Sequence, residues 1–224
     1  ISRALGPESG GAIGLALFCA QAISVPFYIL GFTEALIRTF PGISDQFQTI
    51  ALVTTFILFI VSYIGAKWAV KAQYLIMVIL AISIVTFLGG SFLQFDYQLF
   101  QQNWVPAYAG TDMSFWKVFA IYFPAATGIM AGVNMSGDLE DPGRSIPRGT
   151  LAAVGVGFLV YFSQILLCGG SQIRSELLDA SFVTFRSQAL FGMGFFVVAG
   201  VCAATLSSAL GSFLGAPRVL QAVA

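Results

Sequence analysis

One apolar segment of the chain is interrupted by residues that break helices. The run Phe-Pro-Ala-Ala-Thr-Gly-Ile-Met-Ala-Gly at 123–132 places Pro124, Gly128 and Gly132 inside a charge-free stretch. Proline removes a backbone donor and clashes with the preceding turn, and glycine weakens a helix by about 1 kcal/mol relative to alanine. A broken helix frees N–H groups that can face an anion and carbonyl groups that can coordinate a cation. A kinked helix with a Gly128-x3-Gly132 packing face is the alternative interpretation.

A second set of polar groups lies in the first long apolar segment. Its small and polar residues share one face of a helix, namely Gly14, Gln21, Ser24 and Tyr28. The Tyr28 hydroxyl needs a partner in apolar surroundings, because an unpaired buried hydroxyl is costly. A hydrogen bond to a neighbouring helix is the simplest partner, and a bound cation is the functional alternative.

The last apolar segment combines very small residues with two adjacent hydroxyls. Its small face consists of Gly200, Ala204, Ser208, Gly211 and Gly215. Such a face lets another helix approach closely. Ser207 and Ser208 offer oxygen atoms, which hard cations such as Na⁺ prefer as ligands. The alternative is that each serine bonds back to a carbonyl one turn earlier.

Long charge-free stretches are the elements that must position these residues. A helix needs about 20 residues to cross the hydrocarbon core of a bilayer. We predict six spans, at about residues 11–36, 47–65, 73–94, 116–136, 150–170 and 192–216. The short run Tyr97–Thr111 carries Gln101, Gln102, Asn103 and Pro106, and we predict a loop there. Residues 1–224 are thus one transmembrane domain.

Composition limits the classes of protein to which the chain can belong. It is 58% hydrophobic and 9% charged, against about 25% charged in a typical soluble domain. Its ten basic and ten acidic residues cancel, which excludes the basic field that attracts nucleic acid. Histidine is absent, and Cys19, Cys168 and Cys202 are too far apart for a zinc or redox motif. With no nucleophile–base pair and no cofactor motif, an enzyme is the least favoured class.

The distribution of basic residues favours one orientation in the membrane. Six lie in loops on the side of the termini: Arg3, Lys67, Lys71, Arg144, Arg148 and Arg218. Four lie on the other side: Arg38, Lys117, Arg174 and Arg186. The positive-inside rule then places both ends in the cytoplasm. Trp68, Trp104 and Trp116 lie near predicted span ends, as an aromatic belt requires.

The loop after the broken segment, residues 137–150, is rich in charge. It mixes Asp138, Glu140 and Asp141 with Arg144 and Arg148. Exposed ion pairs of this kind contribute little to stability, and we interpret the loop as an ordinary cytoplasmic connection. The chain also opens at Ile1 without a methionine, and we expect it to be an internal fragment of a longer protein.

Four stretches resemble the cation–chloride cotransporters of the amino acid–polyamine–organocation superfamily. The longest is 123–150, from Phe-Pro-Ala-Ala-Thr-Gly-Ile-Met-Ala-Gly through Asp-Leu-Glu-Asp-Pro-Gly-Arg-Ser-Ile-Pro-Arg-Gly-Thr. The others are Ile-Ser-Arg-Ala-Leu-Gly-Pro-Glu at 1–8, Tyr-Ile-Leu-Gly-Phe-Thr-Glu at 28–34, and the closing Ala-Thr-Leu-Ser-Ser-Ala-Leu at 204–210 with Gly-Ala-Pro-Arg-Val-Leu-Gln-Ala at 215–222. The resemblance covers nearly the whole chain and is loosest in the second and third spans and the outer loops.

The resemblance implies an all-α membrane protein with part of an inverted-repeat, LeuT-like fold. The six spans then correspond to helices three to eight of the family, and the broken span is helix six. Helix one, the later helices and a cytoplasmic domain would be further partners from the same protein. The resemblance leaves a homodimer open and places the protein in the cell membrane as a multi-pass transporter.

Positions that match the family's motifs also imply ion sites. The potassium site maps to the Tyr28 hydroxyl, the Pro124 carbonyl and Thr127. A chloride site maps to the backbone just after the break, at Gly128, Ile129 and Met130. The sodium site maps to the Ala204 carbonyl and the hydroxyls of Ser207 and Ser208. The rest of each cation shell is expected from helices outside the chain.

The resemblance implies a secondary cotransporter that couples chloride to sodium and potassium by alternating access. The serine pair resembles the sodium-dependent branch and Tyr28 the potassium-carrying members. The stretches 127–132 and 215–222 read more like the potassium–chloride branch, which leaves cotransport without sodium as an alternative. An amino-acid permease of the same superfamily is the other close alternative, because residues 141–147 fit its Pro…Ile-Pro pattern. A passive channel or structural membrane subunit is the rival of a different class.

Overall fold

Long helices dominate the computed structural model, which describes residues 6–64, 66–108, 112–125, 128–134, 136–177 and 187–223. Within those ranges every regular element is an α- or 3₁₀-helix. Five helices are long and apolar enough to cross a membrane. The prediction of an all-α membrane fold is confirmed.

The helices follow the chain in nine α-helical elements among the described residues. Five are long: α1 (Pro7–Thr39), α2 (Phe47–Ile64), α3 (Ala66–Leu93), α7 (Pro142–Ser171) and α9 (Gly194–Val223). Four are short: α4 (Tyr97–Trp104), α5 (Phe115–Tyr122), α6 (Ala131–Asn134) and α8 (Arg174–Leu177). Single 3₁₀ turns lie at Pro41–Gln46, Phe123–Ala125, Ser136–Asp138 and Leu190–Gly192.

Helix α9 lies at the centre of the packing and contacts α1 and α3 most extensively. In its most apolar stretch of 18 residues, 39% of the residues are buried, a larger share than in the corresponding stretch of any other of the five long helices. The main buried cluster joins α9 to α1 and α2 through Ile29, Leu58, Ala209, Leu210 and Leu214. Glycine permits a close approach of α9 to α3, because a Cβ built on Gly200 would lie 2.1 Å from the Ser83 hydroxyl oxygen of α3. The predicted small-residue face therefore packs closely at Gly200, whereas a Cβ on Gly211 of the same face would meet nothing within 4 Å.

Helix α7 lies at the periphery and contacts α3 and α4. None of the residues in its most apolar stretch of 18 residues is buried. Large apolar side chains such as Leu151, Phe158 and Ile165 are more than half exposed. A bilayer or further helices are the surroundings that such a surface requires, because water would leave this apolar area unburied.

The predicted loop at Tyr97–Thr111 is wrong in its first half, which forms α4. The Asp96 carboxylate caps this helix by accepting a 2.7 Å hydrogen bond from the Gln98 N–H. The rings of Phe100 and Trp104 then meet one turn apart, with centroids 5.1 Å from each other and planes tilted by 48°. The polar residues that favoured a loop lie on a short helix with one aromatic face, and Trp104 is exposed.

Helix α7 begins earlier than the charged loop 137–150 predicts. Asp141 caps it by accepting a 3.3 Å bond from the Arg144 N–H, and Pro142 occupies the first turn. A proline there is favourable, because its missing N–H has no intrahelical acceptor. Pro147 also lies inside the helix. The second half of the charged segment is therefore the start of α7.

Candidate functional site

The fourth predicted span is not one helix but two short helices separated by a break. Ser114 caps α5 by accepting a 3.4 Å bond from the Lys117 N–H, and α5 ends at Tyr122. A 3₁₀ turn that includes Pro124 follows, and α6 begins only at Ala131. The helical break predicted from the proline and glycines is confirmed, and the kinked continuous helix is not observed.

Gly128 lies in the break with a backbone conformation that favours glycine. Its φ is +85°, in the left-handed region that L-residues with a side chain rarely adopt. A Cβ at this position would meet nothing within 4 Å, so the backbone conformation rather than crowding requires glycine. Thr127, predicted as a potassium ligand, and the neighbouring Ala126 lie outside the described residues.

A tyrosine of α7 closes part of the break. The Tyr161 hydroxyl donates a 2.9 Å hydrogen bond to the Ala125 carbonyl, which lies at the end of the 3₁₀ turn. A carbonyl freed by a helix break in lipid costs several kcal/mol if it is left unpaired. Tyr161 therefore supports the broken conformation from outside the span.

A cavity of about 690 Å³ opens between the break and α7. Gly128 and Ile129, two of the predicted chloride positions, line it together with Tyr161. Met130, the third position, is 40% exposed directly before α6. Most of the other lining residues are apolar or glycine residues of α7, so the cavity offers backbone groups rather than charged side chains.

The predicted sodium residues lie in the middle of α9, and Ser207 faces α3. Its hydroxyl donates to the Gln73 side-chain oxygen Oε1, and Gln73 Nε2 returns a 3.1 Å hydrogen bond to the Ser207 carbonyl. The alternative in which Ser207 bonds back to its own helix is therefore wrong. Ala204 and Ser208 are half-buried. No described residue hydrogen-bonds the Ser208 hydroxyl.

Tyr28, predicted as a potassium ligand, packs beside the same part of α9. It contacts the cluster that contains Ile29, Ala209 and Leu210, and its ring meets that of Phe27 edge-on at 5.7 Å. Among the described residues, none hydrogen-bonds its hydroxyl, so the expected bond to a neighbouring helix is not observed there. The structure thus places Tyr28 against the cluster that includes Ala209 and Leu210 of α9. Tyr28 does not line the cavity at the break.

The segment that follows the break contacts the C-terminal end of α9. Arg218 donates a 3.2 Å bond to the Asn134 carbonyl. A Cβ on Gly215 would lie 2.3 Å from the Gln21 side-chain oxygen and 2.6 Å from the Asn134 side-chain nitrogen. Helices α1, α6 and α9 therefore converge at Gly215.

Sequence reasoning missed two residues that the structure brings to these sites. Gln73 and Tyr161 each lie in a charge-free stretch whose length alone was used to predict a span. A polar side chain inside an apolar helix is the signal that could have found them, since intramembrane polar groups need partners. That signal does not name the partner, because Gln73 and Ser207 are 134 positions apart.

Comparison with known proteins identifies the family. A sequence model described as Amino acid permease matches residues 1–224. The chain is 37% identical over 235 residues to solute carrier family 12 member 8 of Mus musculus, covering 100% of the chain and 33% of the relative. It is 36% identical over 276 residues to member 2 of Squalus acanthias, again covering 100% of the chain and 23% of the relative.

A third relative is solute carrier family 12 member 1 of Homo sapiens, 34% identical over 276 residues, with 100% of the chain and 25% of the relative covered. The chain spans a third or less of the length of these relatives. It belongs to the amino acid permease family. The resemblance to cation–chloride cotransporters is confirmed by the family 12 relatives, and the chain is that of an integral membrane protein.

Proposed function

We propose that the protein is a secondary cotransporter that moves chloride together with sodium and potassium by alternating access. The broken span carries the proposal. It exposes backbone groups to a cavity without unfolding, because Gly128 adopts a positive φ and Tyr161 supports the Ala125 carbonyl. Breaks of this kind supply ion sites near the midplane of many transporters.

Chloride binds, in this proposal, to the backbone of Gly128, Ile129 and Met130. Two of these residues line the cavity beside α7, and none of the described residues that line it has an acidic side chain that would repel an anion. The matched family motif at 123–150 and the family 12 relatives support the assignment. Backbone N–H groups are sufficient ligands for an anion when water is scarce.

Sodium binds at the Ala204 carbonyl and the hydroxyls of Ser207 and Ser208. Support comes from their adjacency in the middle of α9 and from the free hydroxyl of Ser208 among the described residues. Potassium binds at the Tyr28 hydroxyl, the Pro124 carbonyl and Thr127. Support comes from the match of these positions to the family motif and from a Tyr28 hydroxyl that no described residue hydrogen-bonds.

Paired serine variants test the sodium assignment in the protein expressed at full length. Chloride uptake is measured against external Na⁺ concentration for Ser207→Gly, Ser208→Ala and the parent. We expect either change to weaken the dependence on Na⁺ by roughly tenfold, as the loss of one ligand to a charged ion predicts. An unchanged Na⁺ dependence in both variants, with the parent dependent on Na⁺, would show that the serines do not hold the ion.

The proposal also covers the orientation of the chain in the membrane and its contacts with other helices. The segregation of basic residues supports both ends of the chain in the cytoplasm. The exposed apolar face of α7 supports contacts with lipid or with further helices of the same protein. Inorganic ions are the proposed cargo, and no resident cofactor is invoked.

A further inference from the structure

Gln73 of α3 and Ser207 of α9 exchange two hydrogen bonds. The glutamine oxygen Oε1 accepts from the Ser207 hydroxyl, and the glutamine nitrogen Nε2 donates 3.1 Å to the Ser207 carbonyl. The orientation of the amide is fixed by chemistry, because a carbonyl oxygen can only accept. A flipped amide would place its oxygen against the Ser207 carbonyl, where neither group can donate, and that hydrogen bond would be lost.

The Ser207 hydroxyl differs in this respect from four other serine and threonine hydroxyls on the long helices. Those of Ser24, Thr33, Thr55 and Thr205 each donate to a backbone carbonyl of their own helix, three or four residues earlier. Such local bonding is the default for serine and threonine in apolar helices. Ser207 instead donates across the interface, so its hydroxyl rotor is set by another helix.

The α3–α9 interface fixes the register of this pair. Ten residues further along α3, Ser83 donates 3.5 Å to the carbonyl of Val197, which lies ten residues earlier on the antiparallel α9. Ser83 is buried and lies directly against Gly200. The position of Gln73 opposite Ser207 is therefore held by close packing about 15 Å away along the helices.

A hydroxyl that ligates a cation must direct its lone pairs at the ion and its proton elsewhere. Gln73 accepts that proton and leaves both Ser207 lone pairs available. We propose that Gln73 is a positioning residue of the sodium site, which orients the Ser207 hydroxyl for the ion from a third segment of the chain. The inference rests on the proposed function and adds to it a residue of α3, outside the broken span and α9.

Three substitutions separate orientation from simple packing. Gln73→Leu removes the acceptor and the donor at similar volume. Gln73→Glu keeps an oxygen that accepts the Ser207 proton but loses the donor to the Ser207 carbonyl. Gln48→Leu changes an exposed glutamine of α2 and is the matched control.

The experiment measures chloride uptake by the full-length protein as a function of Na⁺ and, separately, of Rb⁺ as a potassium substitute. Surface expression is measured for each variant. For Gln73→Leu we expect the half-saturating Na⁺ concentration to rise roughly three- to tenfold, as the loss of one or two hydrogen bonds predicts. The half-saturating Rb⁺ concentration should stay within about twofold of the parent. For Gln73→Glu we expect a half-saturating Na⁺ concentration no more than about twofold above that of the parent. Gln48→Leu should have the same half-saturating Na⁺ and Rb⁺ concentrations as the parent.

Equal rises for Na⁺ and Rb⁺, or an unchanged Na⁺ value in Gln73→Leu, would overturn the proposal. If Gln73→Leu fails to reach the membrane, Gln73→Glu still tests the proposal. Weakened Na⁺ binding in Gln73→Glu would overturn it, because that variant keeps the oxygen that accepts the Ser207 proton. Binding of ²²Na⁺ to the purified parent separates the two proposals. A parent that binds no ²²Na⁺ overturns the sodium site and Gln73 with it, whereas a parent and a Gln73→Leu variant that bind equally overturn only the role of Gln73.

Discussion

The Tyr161 hydroxyl of α7 donates a 2.9 Å hydrogen bond to the Ala125 carbonyl at the break in the fourth span. This bond joins the break to a helix that begins at Pro142, across the charged segment that follows it. The rings of Tyr161 and Tyr122 also meet edge-on at 6.2 Å, so the same side chain contacts the last residue of α5. The broken conformation therefore depends on α7 as well as on its own proline and glycines.

Tyr161→Phe tests that dependence. The ring contact with Tyr122 is kept and only the hydroxyl is lost, so the Ala125 carbonyl loses its partner. We expect the half-saturating chloride concentration to rise roughly three- to tenfold, as one lost hydrogen bond predicts. Tyr63→Phe removes a hydroxyl from a side chain that is 83% exposed on α2 and should change nothing. Identical chloride curves for all three proteins would contradict a role for Tyr161.

Gly128→Ala tests whether the backbone conformation of the break matters for transport. An alanine at φ +85° is strained by about 1–2 kcal/mol, although there is space for its Cβ. We expect chloride uptake at low chloride to fall roughly five- to thirtyfold, as that strain predicts. Gly132→Ala is the matched control, because its Cβ also meets nothing within 4 Å and its φ is not positive. The idea fails if both alanines transport equally well.

Tyr28→Phe tests the potassium assignment. The ring keeps its contacts with Phe27 and the α9 cluster while one oxygen ligand disappears. We expect the half-saturating Rb⁺ concentration for uptake to rise roughly tenfold, with the Na⁺ value little changed. Tyr97→Phe on the exposed surface of α4 serves as the control. Superimposable Rb⁺ curves for Tyr28→Phe and the parent would remove Tyr28 from the site.

Gly200→Ala tests the close packing of α9. A Cβ there would lie 2.1 Å from the Ser83 hydroxyl oxygen and 2.2 Å from its Cβ, so the helices must separate. Overpacking of this kind costs about 1–3 kcal/mol, and we expect a lower thermal midpoint for the purified protein. Gly211→Ala, on the same helix with nothing within 4 Å, should keep the parent's midpoint. Equal midpoints for the two variants would contradict the packing at Gly200.

Local sequence patterns predicted the elements of the fold but not their partners. Length without charge located the long helices, and Pro124 with Gly128 located the break, because both properties depend on neighbouring residues. The pairing of Gln73 with Ser207 depends instead on how α3 packs against α9, which no local pattern contains. The same is true of Tyr161 and Ala125.

Helix α4 is an element that the local sequence pattern predicted wrongly, because its polar residues favoured a loop. Gln101 and Asn103 read as loop residues, yet Asn103 donates 2.8 Å bonds to the carbonyls of Gly169 and Gln172 at the end of α7. A polar residue favours a loop only when water is its partner. Here the partner of Asn103 is the backbone at the end of another helix, and the local sequence does not show that this backbone lies nearby.

Uptake of ³⁶Cl⁻ into proteoliposomes containing the full-length protein measures whether cation gradients drive chloride transport. An inward gradient of Na⁺ and K⁺, with no chloride gradient and no membrane potential, should drive chloride above its equilibrium level. Neither an amino-acid gradient nor a valinomycin-imposed potential alone should do so, and removal of either cation should abolish the accumulation. Chloride accumulation with K⁺ alone would limit the protein to potassium–chloride cotransport. Accumulation of amino acids without chloride, or chloride flux that only follows the membrane potential, would contradict the account.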